Sequence, residues 1–136
     1  MGDVPAVIMR WLHITSVVVL IGGCLYGALG IASARALAPE AAETLFEKVA
    51  HSVRPLVWTA MALLLISGAY NVLTAPGHQP RYLVLLGVKL LLVMHVFAAG
   101  LLALRPNNPR RARQLTGAFM SGLLIILISA YLRRIF

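Results

Sequence analysis

The stretch from Arg10 to Ala34 reads RWLHITSVVVLIGGCLYGALGIASA, and the fold follows from it. After Arg10 it has no charged residue, and it exceeds the roughly 20 residues that a helix needs to cross the hydrocarbon core of a bilayer. Its first turn brings together a cation, the Trp11 indole and the His13 imidazole. Glycines follow at Gly22, Gly23, Gly27 and Gly30. A histidine near the start of an apolar helix, followed by glycines that expose the backbone, indicates that the helix binds a ligand.

Three further apolar runs have a similar length. The four runs cover 11–34, 55–79, 82–104 and 114–132, and 60% of the 136 residues are hydrophobic. Only helices and closed barrels satisfy their backbone within a bilayer, and these runs show no alternation of polar and apolar residues. The sequence therefore predicts one all-α domain over residues 1–136, an integral membrane up-down four-helix bundle. Its helices are expected at about 4–36, 41–74, 81–104 and 110–134, with a turn between Ala75 and Pro80.

The basic residues are unequally divided between the two ends of this bundle. The end with the 1–2 and 3–4 connections receives seven cations, and the end with both termini receives four. The positive-inside rule then predicts cytoplasmic connections, outside termini and a bacterial-type inner membrane, and it explains the net charge of +8 without nucleic acid. The seven are Arg35, Lys48, Arg54, Arg105, Arg110, Arg111 and Arg113; the four are Arg10, Arg81, Arg133 and Arg134.

Several function classes lack the residues that they need. The single cysteine, Cys24, excludes an internal disulfide and a thiolate metal cluster within one chain. The first apolar run is too long for the core of a cleaved signal peptide. No carboxylate lies within a span, which argues against a transporter with an acidic proton relay. The sequence has no Ser-His-Asp arrangement, phosphate-binding loop or zinc-ligand spacing.

Ionisable side chains in or near the spans are the functional candidates, because they are costly to place in a bilayer. They are His13, His51, Arg54, Lys89 and His95. His13 and Lys89 each lie about eight residues past a helix start at the same membrane face, which is about 12 Å along the helix. His95 is about 9 Å deeper, and His51 lies towards the opposite face. We therefore expect His13 and Lys89 at one level of the bundle.

Haem b suits this set of side chains, because imidazole is a haem axial ligand and the propionates need cations. We expect His13 to be the leading axial ligand and Lys89 a second ligand or a propionate partner. His95 is an alternative opposite ligand if helix tilt removes the depth mismatch, and His51 with Arg54 is a candidate second site. The expected role is electron transfer or redox chemistry on a quinone or porphyrin, as in a haem-dependent oxidoreductase.

Structural explanations stay open for the same residues. His13 also suits the aromatic belt beside Trp11, His95 a hydrogen bond between helices, and Lys89 a side chain that extends to the interface. The pattern Gly23-x-x-x-Gly27 is typical of close helix packing.

Two further functions stay open. Copper handling would use Met9 and His13, which share a helix face, with Met94 and His95, since thioether and imidazole ligands suit Cu(I). Methionine is also an ordinary filler of apolar chains. A cofactor-free structural or assembly subunit would use the glycine-rich face to pack against a partner, in a homo-oligomer or a larger membrane complex.

Five short motifs of this chain recur together in known membrane proteins. They are Arg10-Trp11-Leu12-His13, Ile21-Gly22-Gly23, Arg54, Ser67-Gly68 and Val88-Lys89-Leu90. In these motifs the chain resembles two related groups, the CopD-type copper-resistance membrane domain and the HemJ-type protoporphyrinogen oxidase, a four-helix protein associated with haem b. The resemblance implies a four-helix membrane fold with a histidine in helix 1 and a lysine in helix 3.

Overall fold

The computed structural model describes residues 3–75 and 79–135, which form four long helices and no strand. These are α1 (Asp3–Leu37), α2 (Pro39–Leu73), α3 (Pro80–Ala103) and α4 (Arg111–Ile135). Each is long and apolar enough to cross a membrane. The predicted all-α four-helix bundle is therefore confirmed, with helix ends within one or two residues of those expected. Residues 76–78 of the predicted turn after α2 lie outside the described part.

The hairpin between α1 and α2 has a single connecting residue, Ala38, whose non-helical backbone (φ −151°, ψ 81°) separates the two helices. Pro39 begins α2 because the first turn of a helix does not require its missing N–H. The Arg35 guanidinium bridges the hairpin to the Glu43 carboxylate at 2.7 Å. Further along, α2 continues as an unbroken helix through Pro55.

The helices pack in the order α2, α1, α4, α3, so that α1 contacts α2 and α4, and α3 contacts α4. The core is thin, and small side chains dominate its buried positions, among them Ala60, Ala99 and Ala118. Small residues let the backbones of membrane helices approach closely. Most large apolar side chains lie on the outside, where a bilayer would surround them.

Two glycines make the contact between α1 and α4 close. A β-carbon on Gly122 would collide with Ile21, and one on Gly27 would lie 3.0 Å from the Leu115 side chain. Gly22 and Gly23, by contrast, have nothing within 4 Å of such a carbon. The close packing therefore uses Gly27 but not Gly23, its partner in the sequence pattern.

The connection between α3 and α4 is built around Arg111, which is 3% exposed. Its Nε donates to the Ala103 carbonyl at 2.8 Å, and its Nη2 donates to the Arg105 carbonyl at 2.9 Å. Carbonyls at the end of a helix lack partners within the helix, and a basic side chain can satisfy them. In the sequence, Arg111 is one of seven basic residues at this end of the bundle. In the fold, its side chain caps the C-terminus of α3.

The first and last helices of this packing order, α2 and α3, meet along what we call the α2–α3 seam. It is closed at the end with the 1–2 and 3–4 connections, which we call the basic end. There Arg54 Nη2 donates to the Leu104 carbonyl at 3.0 Å, and the Met61 Cε lies 3.5 Å from where a β-carbon on Gly100 would be. Towards the other end the two helices separate and leave a cavity.

Candidate ligand-binding cleft

The cavity at the open end of the seam has a volume of about 440 Å³, and all four helices line it. We call it the His13 cleft. Its volume falls within the range of about 300–1,000 Å³ that is typical of small-molecule sites. Apart from His13 and Lys89, the described residues that line it are apolar. They include Val17, Leu64, Val72, Leu86, Val93 and Ile125.

The His13 imidazole is held by a short hydrogen-bonded chain. Its Nδ1 lies 2.9 Å from the Ser67 Oγ on α2, and that hydroxyl donates to the Leu63 carbonyl at 2.6 Å. A hydroxyl has a single proton to donate, so the Ser67 oxygen accepts from His13 and Nδ1 carries the hydrogen. In a neutral imidazole, the Nε2 atom is then an unprotonated acceptor. This is the arrangement of metal-ligating histidines, which donate their other ring N–H to a neighbouring group.

Lys89 of α3 lines the same cleft as His13 of α1. Within residues 3–75 and 79–135, its ammonium has neither a hydrogen-bond partner nor a carboxylate partner. An ammonium in that position can interact favourably with an anionic or electron-rich ligand. The two residues that helix-rise arithmetic placed at one depth thus line a single cavity.

The cleft opens sideways, between α2 and α3. Leu65 and Leu73 on α2 and Leu90 on α3 line it, yet their side chains are 57%, 82% and 54% exposed. A surface of this apolar character faces hydrocarbon in a membrane-spanning protein. The opening therefore leads to the acyl-chain region and suits a ligand dissolved in the membrane.

Glycines form part of the wall of the cleft, but they differ from the α1 glycines that the sequence analysis singled out. Gly68 on α2 and Gly122 on α4 line the cavity, whereas Gly22 and Gly23 do not. Gly68 lies against His13, with the imidazole Cε1 3.8 Å from where its β-carbon would be. No sequence pattern singled out Gly122, although a small residue in the middle of a span often indicates close helix packing.

Ser67 is the other residue whose part in the site the sequence did not reveal. It appeared only within the Ser67-Gly68 motif, and its contact with His13 joins positions 54 residues apart. The available signal was a hydroxyl in the middle of an apolar span, which tends to bond its own helix or a neighbouring one. Its side chain is 1% exposed.

The other candidates from the sequence are elsewhere. His95 is exposed on α3, with its Nε2 3.8 Å from where a β-carbon on Gly117 of α4 would be, and it does not line the cleft. Met94 is 66% exposed, and Met9 is not among the lining residues. The structure therefore does not bring Met94 and His95 into the cleft with His13, and Met9, four residues before His13 on α1, does not line it either. Among the described residues, no group of three or more His, Cys, Asp or Glu side chains could hold a metal ion.

His51 and Arg54 are exposed at the basic end of α2. Arg54 lines a second, smaller pocket of about 260 Å³, together with Trp58, Leu101, Leu104, Arg105 and Pro106. His51 is not part of that lining. Thirteen residues of helix, about 20 Å, separate Arg54 from Ser67, so this pocket is distinct from the His13 cleft.

Comparisons of the chain with protein-family models, with curated proteins and with solved structures give no match. The resemblance to the CopD-type and HemJ-type groups therefore stays a prediction from sequence motifs.

Proposed function

We propose that this protein binds haem b in the His13 cleft, with His13 Nε2 as an axial ligand, and that it acts in membrane redox chemistry. One observation carries the proposal: the Ser67 hydroxyl fixes the imidazole so that its unprotonated nitrogen is left for a ligand. An imidazole held only for structure, by contrast, has no need of a cavity beside it.

The other properties of the cleft fit the same group. Its walls are apolar, as a porphyrin requires, and the Lys89 ammonium supplies a cation for a propionate. Haem supplies one-electron redox chemistry when bound. The opening at Leu65, Leu73 and Leu90 gives a membrane-dissolved quinone or porphyrin a path to the same cleft.

The direct test is the absorption spectrum of the protein purified in detergent from cells with ample haem. We expect a Soret band that His13→Ala abolishes or shifts. His95→Ala is the matched control, because it removes an imidazole outside the cleft, and its spectrum should be unchanged. A colourless protein would disprove haem binding, and tightly bound copper in that protein would favour the copper alternative. Loss of the band in both variants alike would remove His13 as the specific ligand.

Lys89 is proposed as the propionate partner, and two substitutions separate this role from ligation of the iron. Lys89→Arg keeps the cation but gives up the amine, so haem content and spectrum should stay close to those of the unmodified protein. Lys89→Gln removes the cation and should lower haem affinity by about tenfold, the size of one charge-assisted hydrogen bond. A spectrum altered equally by both substitutions would instead indicate that Lys89 is an iron ligand.

We also propose the orientation that the positive-inside rule gives, with the basic end in the cytoplasm of a bacterial-type cell. The native Cys24 is buried, which leaves introduced thiols as the reporters. In a Cys24→Ala background, Asp3→Cys should react with a membrane-impermeant maleimide in intact cells, and Thr44→Cys should react only after lysis. The opposite pattern would reverse the orientation.

A further inference from the structure

We propose that the pocket at the basic end of the α2–α3 seam binds the phosphate of an anionic phospholipid. This inference is independent of the haem proposal, because it uses other residues at the far end of the seam. Two arginines, Arg54 and Arg105, line this pocket of about 260 Å³, and its remaining walls are apolar or aromatic. We call it the headgroup pocket.

The two guanidinium groups have donors to offer. Arg54 uses its Nη2 for the Leu104 carbonyl, and among the described residues the Arg105 guanidinium makes no hydrogen bond. Within residues 3–75 and 79–135, neither arginine pairs with a carboxylate, since the one ion pair found there joins Arg35 and Glu43. A guanidinium carries five N–H donors in a planar fork that matches the oxygens of a phosphate. Two such groups beside one pocket suit a singly charged phosphodiester.

The frame of the pocket is fixed by contacts that do not use those donors. The Glu47 carboxylate accepts from the backbone N–H of Asn107 at 3.2 Å, which ties the turn after α3 to α2. Arg111 holds the Arg105 carbonyl from the other side at 2.9 Å. The nearby carboxylate is thereby engaged with the backbone, and the Arg105 backbone is held while its side chain stays exposed. The pocket is therefore preorganised for an anion.

The apolar walls distinguish a phospholipid from a soluble anion. Trp58 is 57% exposed, and Leu101 and Leu104 complete the apolar wall beside it. Tryptophan is typical of the membrane interface, where its ring lies at the level of the headgroups. Basic pockets between helices at that level are typical sites for anionic headgroups. A free phosphate would gain nothing from this wall, whereas the first carbons of an acyl chain would pack along it.

The fluorescence of Trp58 gives a direct test. Trp11→Phe leaves Trp58 as the sole tryptophan, and the protein is held in a neutral detergent. We expect phosphatidylglycerol with brominated acyl chains to quench Trp58 saturably, and brominated phosphatidylcholine to quench at least tenfold more weakly at equal concentration. Inorganic phosphate, up to the millimolar range, should not displace the lipid. Equal quenching by both lipids, or displacement by phosphate alone, would overturn the proposal.

Matched arginine variants separate a site from general attraction. Arg54→Gln with Arg105→Gln removes two charges from the pocket, and Arg110→Gln with Arg113→Gln removes two exposed charges outside it at the same end. The first pair should weaken phosphatidylglycerol binding by about tenfold per arginine, and the second by less than twofold. Arg105→Gln alone breaks no hydrogen bond among the described residues, so it should show a tenfold loss even if the double variant misfolds. Equal losses in the two pairs, or no loss in Arg105→Gln, would contradict a built site.

Discussion

The two ends of the α2–α3 seam differ although the same two helices form both. At the basic end, Met61 packs against Gly100 and Arg54 reaches across to the end of α3, so the helices touch. At the other end, His13 of α1 bonds to Ser67 on α2, and Lys89 faces the resulting gap from α3. The seam is thus closed where Gly100 of α3 lets the Met61 side chain of α2 pack against it. It is open where Ser67 of α2 is hydrogen-bonded to α1 and not to α3.

The difference shows how a membrane bundle makes room for a ligand. Lipid gives helices no hydrophobic reason to associate, so contact depends on close packing and on hydrogen bonds between helices. The closed end has both. At the open end, the hydrogen bond of α2 is made to α1, and α3 presents an ammonium without a partner among the described residues. The cleft therefore lies at the end of the seam where α2 and α3 are joined neither by close packing nor by a hydrogen bond among the described residues.

The largest effect is expected from removing the cap of α3 at the basic end. Arg111→Ala leaves two carbonyls without their charged donor and should destabilise the fold by about 4 kcal/mol. Arg113→Ala is the control, since Arg113 is exposed two residues further along α4. Unfolding of each variant by SDS in mixed micelles, followed by circular dichroism, measures the difference. Equal stability in the two variants would mean that the buried arginine does not hold this end.

The next effect concerns the packing that closes the seam. Met61 is 4% exposed, so Met61→Ala should cost about 3 kcal/mol through the cavity that it leaves. Met120→Ala is the control, because Met120 is 56% exposed and should change stability little. The same SDS titration applies. If Met61→Ala proves as mild as the control, the closed end does not depend on this contact.

A smaller effect is expected where α1 and α4 meet beside the cleft. Gly122→Ala forces Ile21 to move and should destabilise the bundle by about 2 kcal/mol, while narrowing the cleft that both residues line. Gly87→Ala adds the same methyl group where nothing lies within 4 Å, and it should be neutral or slightly stabilising. Thermal unfolding in detergent compares the two. A neutral Gly122→Ala would contradict the close approach of these helices.

The smallest effect on stability is expected at the open end, where its effect on ligand binding is the informative one. Ser67→Ala removes the acceptor for His13 and should cost about 1 kcal/mol of stability. Haem affinity should fall at least tenfold, as for other groups that orient a metal-binding histidine. Ser129→Ala is the matched control, since its hydroxyl bonds a carbonyl of its own helix and does not contact the cleft. Equal haem affinity in the two variants would show that Ser67 does not prepare His13 for a ligand.

Much of the fold could be predicted because it depends on distances along single helices. Apolar run lengths gave the four helices, and the fixed rise per residue placed His13 and Lys89 at one depth. The partner of His13 could not be predicted in the same way. Many hydroxyls lie within the spans, and only the rotation of α2 against α1 selects Ser67.

Arg111 shows the same limit at the basic end. In the sequence it is one of three arginines within four residues, and nothing local separates it from Arg110 or Arg113. In the fold it is buried and the other two are exposed. The choice depends on which arginine faces the end of α3, which is a property of the turn and not of composition.

The sequence by itself determined the helices and their apolar character, because a backbone in a bilayer must satisfy its own hydrogen bonds. Only the tertiary structure decided which helices touch, which nitrogen of His13 is hydrogen-bonded to Ser67, and that Lys89 and His13 share a cavity while His95 does not line it. These outcomes depend on the fit of small side chains such as Gly100 and Gly122 against their neighbours. That fit joins positions far apart in the chain, so no local pattern reveals it.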